Sequence, residues 1–327
     1  MTGNNTSNFA GLASELLQNQ KLEWKILADN YTSLKKIKIR TFQFDGFKIN
    51  IQFNPERIIS ATAEVDEESI KNRDCFLCRE NRPAAQREIK YKEGFLILCN
   101  PYPIFPEHFT ITYKEHTPQK IAGNFISFLN TCEDLSSKYI VIYNGPKSGA
   151  SAPDHLHFQA GTKFYMPVDN EFHLLKNEYG EILSESEDII VSGISDGLRK
   201  FISIESNNIE KVSNTFNIFY SIYENISNKD EEPLMNIAGL YEQEFGWRVI
   251  IFLRSMHRSS HYFAEGEQKI LVSPATIDLG GVCITPLEKD FNKITKEKIT
   301  EIFKEVSLGK EEFDYIKSSL AQKLIEL

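Results

Sequence analysis

Gly149-Ala150-Ser151-Ala152-Pro153-Asp154-His155-Leu156-His157-Phe158-Gln159-Ala160 sets two histidines and a glutamine at alternate positions behind a glycine-containing loop. Side chains of an extended chain alternate in direction, so His155, His157 and Gln159 share one face while Leu156 and Phe158 take the other. Three polar groups on one face, backed by apolar ones, describe a site rather than a core. The competing reading is a half-exposed strand that happens to carry two histidines; Gln159 and the loop weigh against it. Imidazole is appreciably neutral near pH 7 and can attack phosphorus. A neighbouring side-chain amide can donate to a non-bridging phosphate oxygen without adding charge. The preceding loop brings Asn144, Lys147, Ser148 and Ser151, with their backbone N–H groups, as candidate phosphate ligands.

Upstream of this stretch, residues 139–143 read as a short buried strand and residues 118–138 as a helix with Pro118 in its first turn. Residues 95–98 and 109–112 look like two further strands. Residues 37–65 are β-branched and aromatic, broken at Asp45-Gly46 and Asn54-Pro55, a hairpin pattern. Residues 9–34 repeat apolar positions at helical spacing, from Leu12 through Leu27. Downstream, the same grammar starts again near Phe172. Strand-like runs surround residues 189–191 and 198–204, a helix covers about residues 208–225, and residues 228–233 form an acidic break. Strands at residues 236–241 and 247–253 follow, and a Lys/Glu-rich helix from Thr295 onward is expected to be a solvated face. This order predicts an α+β protein with mainly antiparallel strands.

Composition narrows the function classes. The chain has 327 residues, enough for two domains or one domain of two halves. Lys+Arg 37 against Asp+Glu 46 gives a net charge of -9, which argues against nucleic acid as a partner. Two local islands are basic: residues 71–92, and residues 248–261 with three arginines, two histidines and no carboxylate. Such islands on an acidic protein suit a small anion, or are simply solvated faces; on the first reading Arg254 and Arg258 are candidates for binding a second, phosphate-bearing substrate. No run approaches the roughly 20 apolar residues that span a bilayer. The polar start lacks the order of a secretory signal. An odd count of five cysteines does not read as a disulfide framework, and a reducing cytoplasm is the expected home.

The 149–160 stretch resembles the active-site signature of the histidine-triad superfamily. It is most similar to the transferase branch, which contains galactose-1-phosphate uridylyltransferase, dinucleoside polyphosphate phosphorylase and the plant-type GDP-galactose phosphorylases. The hydrolase branch usually has a third histidine where this chain has Gln159. The resemblance therefore implies a nucleotidyltransferase or phosphorylase. It would carry a nucleoside monophosphate from a nucleotide sugar or dinucleotide, through a nucleotidyl-His157 intermediate, to phosphate or a sugar phosphate. Gln159 would orient the phosphate. A nucleotide hydrolase of the same superfamily, or an inactive nucleotide-binding regulator, stands as the alternative. One departure is Ala152, where the branch usually has a serine; Ser151 lies one position earlier.

The segment from Asn100 to His116 is similar to the strands that cross the core of this superfamily, with His108 opening a strand and His116 eight residues on. Arg82 follows where related enzymes hold the nucleotide. Cys75-Phe76-Leu77-Cys78 is by itself a redox pair, half of a zinc site or a chance pair. Related proteins combine such a pair with two histidines, which here implies a structural zinc held by Cys75, Cys78, His116 and His155. Cys99, Cys132 and Cys283 are expected to be buried bystanders, and Phe105, Phe109 and Tyr113 core residues. The implied architecture is two lobes with the histidine-triad-like (HIT-like) fold: residues 1–170 catalytic, and residues 171–327 a degenerate second lobe without His-x-His-x-Gln. No membrane partner is expected, and a homodimer is an allowed assembly.

Overall fold

The computed structural model describes residues 8–62, 66–228 and 231–326. The polar start at residues 1–7, the end of the expected hairpin run at residues 63–65, and residues 229 and 230 of the acidic break lie outside these. Thirteen strands are described: β1 (Lys38–Gln43), β2 (Lys48–Phe53), β3 (Glu88–Lys90), β4 (Phe95–Cys99), β5 (His108–Tyr113), β6 (Tyr139–Asn144), β7 (His157–Thr162), β8 (Gly180–Ser186), β9 (Ile189–Ser195), β10 (Lys200–Ser206), β11 (Met235–Glu242), β12 (Gly246–Leu253) and β13 (Val282–Thr285).

Ten of them form one antiparallel sheet in the order β3-β4-β5-β7-β6-β11-β12-β10-β9-β8. Two five-stranded halves thus meet at the β6–β11 pair, in register from Asn144↔Asn236 to Val141↔Gly239. A smaller sheet, β1-β2-β13, pairs β13 parallel to β2 and brings residues from both ends of the chain together. Strand alternation splits the core in two. Phe109, Val141, Phe158, Ile237 and Val249 face one side of the large sheet. Helices Phe9–Glu23, Phe125–Asp134, Ile209–Ile226 and Lys310–Ile325 cover that side. Ile142, Ala238, Ile250 and Phe201 face the other side, under the small sheet and helices Pro167–Tyr179 and Lys296–Val306.

The mixed, mainly antiparallel α+β class is as expected, and four local expectations are corrected. The N-terminal helix breaks at Trp24, whose extended backbone turns its side chain inward, giving helices Phe9–Glu23 and Lys25–Leu34. The strand run from residue 37 stops at Phe53, because Asn54-Pro55 starts the short turn Pro55–Arg57. The helix expected over residues 118–138 covers only Phe125–Asp134, since Gln119 leaves it to bond across β6 and β7. The C-terminal helix is not merely a solvated face: Phe313, Ile316 and Leu320 are buried along Lys310–Ile325. No helix among the described residues is long and apolar enough to cross a membrane.

Candidate active site

The face of the sheet opposite Phe158 opens at β4, β5 and β7. Register places Gln159 beside Thr110 and Thr110 beside Leu98, with His157 beside Thr112. Leu98, Thr110, Gln159 and His157 line a cavity of about 910 Å³. Its walls come from the turn carrying Arg57, the helix carrying Ser69 and Asn72, the segment Arg73–Leu77 and the loop at residues 100–102; Ser151 also lines it.

His157 is nearly buried and its tautomer is fixed by its neighbours. Nδ1 lies 2.8 Å from the His155 carbonyl oxygen, which can only accept, so Nδ1 carries the proton and Nε2 the lone pair. Burial pushes its pKa down to about 4, opposed in part by the hydrogen bond to the His155 carbonyl, so the ring is neutral at pH 7. The strand is pinned here by Gln119. Its side-chain oxygen accepts from His157 N–H at 2.8 Å, and its amide donates to the carbonyls of His157 and Asn144. Sequence reasoning missed Gln119, whose position in a loop after Thr117-Pro118 carries no periodic signal.

Gln159 is oriented by His108. The Ile104 N–H donates to His108 Nδ1 at 3.2 Å, so the His108 proton sits on Nε2 and donates to Gln159 Oε1 at 2.8 Å. The Gln159 amide is thereby left to donate elsewhere. Burial, then the nearby Arg57 charge, hold the His108 pKa at about 3, so this relay does not titrate near neutrality. Tyr31 clamps the same residue, its hydroxyl donating to the His108 carbonyl and accepting from its N–H, both at 3.1 Å.

His155 does not share the strand with His157, as the alternation argument expected; it lies just before β7. Its Nε2–H donates to Tyr113 O at 2.8 Å, which turns Nδ1 toward Cys75 Sγ at 3.3 Å and Cys78 Sγ at 3.6 Å. His116 presents Nδ1 to Cys78 Sγ at 3.2 Å, while its Nε2 faces Asp154 Oδ2 at 3.6 Å. All four ligand atoms lie within 4.8 Å of one another, a cluster able to hold a metal ion. Cys99, Cys132 and Cys283 are buried and unpaired, and Phe105 and Phe109 are core.

Arg82, Asn144, Lys147, Ser148, Arg254 and Arg258 are not among the residues lining the cavity. Arg82 folds onto Glu88 at 2.6 Å, and Lys147 pairs with Glu231 at the surface. Arg258 stacks over Tyr262 and donates to Ser273 Oγ. Arg254 is fully buried among the carbonyl oxygens of Pro274, Met256, His257 and Val306 and donates to Asn236 Oδ1 at 2.6 Å. Asn236 in turn donates to Asn144 Oδ1 and to the Ser148 carbonyl. Arg254, acting through Asn236, thus braces the loop at Asn144 and Ser148 rather than contacting the cavity. Gly149 completes that loop at φ +93, where a Cβ would come 2.7 Å from that of Ala275.

Two family models match separate parts of the chain. Residues 16–162 match the family model of a domain of unknown function (DUF4922), and residues 174–326 match that of the GDPGP1-like C-terminal domain. No curated protein sequence is detectably similar. Among solved structures, yeast Ap4A phosphorylase is similar with a TM-score of 0.55 and 14% identity, over 89% of this chain and 97% of that one. Its complex with Ap4A is similar at a TM-score of 0.53 and 13% identity, with the same coverage. The fold is histidine-triad-like. Within this HIT-like fold, His157 and Gln159 line the cavity from β7, and the cysteine–histidine cluster includes His155, two residues before that strand.

Proposed function

We propose that the protein is a nucleotidyltransferase of the phosphorylase kind, in which His157 Nε2 attacks the α-phosphorus of a nucleotide sugar or dinucleotide. The P–O bond to the leaving group breaks as the N–P bond forms. Phosphate or a sugar phosphate then takes the nucleotidyl group, and His157 recovers its lone pair. The observation that carries this reading is the pair of fixed tautomers. Proton donation by His157 to the His155 carbonyl leaves Nε2 as the nucleophile, and the His108 relay leaves the Gln159 amide as a donor to the phosphate. Donors aimed at charge that develops at phosphorus give most of the rate in such sites. A cavity of about 910 Å³ accommodates donors of this size. The yeast phosphorylase of similar fold is solved with Ap4A and with AMP.

Residues 1–170 act as the catalytic lobe in this reading, and residues 171–327 as a second lobe that supports the Asn144–Ser151 loop. Cys75, Cys78, His116 and His155 hold zinc. The donor set supports this, because Zn–S of about 2.3 Å and Zn–N of about 2.0–2.1 Å give a tetrahedral S···N edge of about 3.6 Å. The Nε2 partners of both histidines, Tyr113 O and Asp154, are the outer contacts that orient such ligands. The ion would supply structure only, tying the Cys75–Cys78 turn to a residue two positions before His157. Five unpaired cysteines are in keeping with a reducing cytoplasm.

The function is tested by screening nucleotide sugars and dinucleotides with the purified protein, with and without inorganic phosphate. Nucleotide release that requires phosphate or a sugar phosphate is expected; release at an equal rate in water alone contradicts the reading.

The pH dependence follows from the depressed pKa. The neutral ring is the nucleophile, so adduct formation should stay level from pH 8 down to about 5 and fall as pH approaches about 4. A midpoint near 6.5, the value of an unperturbed histidine, would contradict this.

His108 is a positioning residue acting through Gln159. Gln159→Ala should lower kcat by roughly 10²–10³-fold with little change in donor KM, as loss of one oxyanion donor does. His108→Phe should lower kcat in the same direction, and the double variant should be no slower than Gln159→Ala alone. Additive losses would show that His108 acts on something else.

A further inference from the structure

The cavity is lined by a cation that this mechanism has not used. Arg57 lies on the turn Pro55–Arg57 that follows β2, about a hundred residues from His157 in sequence, yet it lines the same cavity. The turn is anchored on both sides. Asn54 Nδ2 donates to Pro103 O at 3.1 Å, Asn54 N donates to Thr285 O at 3.1 Å, and Arg57 Nη1 donates to Tyr102 O at 2.8 Å. Among the described residues, the Tyr102 carbonyl is its hydrogen-bond partner and no ion pair to a carboxylate is formed. Asp278 acts on it only through space. Arg73, the other guanidinium lining the cavity, is already paired with Asp154 at 2.6 Å.

A largely buried guanidinium without a carboxylate is costly to keep, unless an anion arrives to share the site. Here burial pulls the Arg57 pKa down to about 10, so the group is still a cation at neutral pH. Its charge reaches His108, which places it on the His108–Gln159 side of the cavity rather than at the cysteine–histidine cluster. Guanidinium presents donors in the fork that phosphate oxygens accept.

We propose that Arg57 binds the acceptor phosphate. The proposal rests on the nucleotidyl-His157 reading and extends it to the second half-reaction. In a double displacement the departing phosphate of the first step and the attacking phosphate of the second use the same position, in line with Nε2 across the phosphorus. In the second step an anionic oxygen of the bound phosphate forms the P–O bond, the N–P bond breaks, and its electron pair returns to Nε2. Nδ1 keeps its proton throughout. Arg57 therefore selects phosphate over water as the group that resolves the intermediate.

The probe is inorganic phosphate, titrated calorimetrically into the full-length protein without nucleotide. Wild type should bind it, Arg57→Gln at least about tenfold more weakly, and Arg57→Lys within about threefold of wild type, a loss expected when one charge-assisted bond is removed. Arg57→Lys keeps the cation, so it serves if the Gln variant does not fold: phosphate binding by the folded Lys protein supports the proposal, and its absence overturns it. His157→Asn should bind phosphate as wild type does. Wild-type phosphate affinity in Arg57→Gln, or no phosphate binding by wild type, would overturn the assignment. Failure of the nucleotidyl-histidine reading itself registers elsewhere, as a missing adduct in wild type with these phosphate titrations unchanged.

Discussion

His157→Ala is expected to lose turnover by on the order of 10⁵–10⁶-fold, the scale seen when a covalent nucleophile is removed from a preorganised site. The loss should fall on chemistry and not on folding. His157 is nearly buried but, among the described residues, its side chain makes a single hydrogen bond, to the carbonyl of His155, and the strand is held independently by Gln119. Donor binding should therefore survive, because the cavity walls and the Gln159–His108 relay are untouched. His157→Gly opens space for a free imidazole, and an activated donor with added imidazole should restore measurable turnover. Steady-state kinetics of both variants check this. Activity in His157→Ala within tenfold of wild type would move the chemistry to another group.

Cys75→Ser is expected to produce the largest effect on stability. Wild type should carry about one zinc per chain, and the variant close to none, since a hydroxyl does not replace a thiolate ligand. Metal affinity at such a site is also folding energy, so zinc content and melting temperature should fall together, with a loss of several kcal/mol. His155 is one of the four clustered side chains and lies two residues before His157, so the active-site strand end should loosen as well. Cys99→Ser provides the contrast: Cys99 is buried and unpaired, outside the cluster, and its replacement should leave zinc content unchanged. Metal analysis with thermal unfolding checks both. A zinc-free wild type of undiminished stability would remove the metal from the account.

What was legible in the sequence was local. Alternation along β7 sorts Phe158 into the core and Gln159 into the cavity using nothing beyond a period of two, and the structure has that arrangement. The cysteine pair and the two histidines that complete the cluster came from a resemblance, and the fold brings all four within 4.8 Å. Arg254 shows where such reading stops. Its charge suggested a substrate contact, but charge says nothing of burial, and tertiary packing encloses it in backbone carbonyls. Arg57 shows the converse. It belongs to a β2 turn brought to the cavity by the small sheet, whose β13 comes from the far end of the chain. Gln119 likewise reads as the start of a helix, because its bonds to His157 span 38 residues.

The central claim is a covalent nucleotidyl group on His157, and intact-mass measurement of the protein after incubation with donor tests it most directly. With a donor found by the phosphate-dependent screen and no acceptor present, the mass should rise by one nucleoside monophosphate. The label should map to the peptide containing His155-Leu156-His157-Phe158-Gln159, be labile in acid and stable in base, and disappear when phosphate is added. An unmodified protein that still turns the donor over with phosphate, or an adduct stable in acid and located on Ser148 or Ser151, would contradict the account.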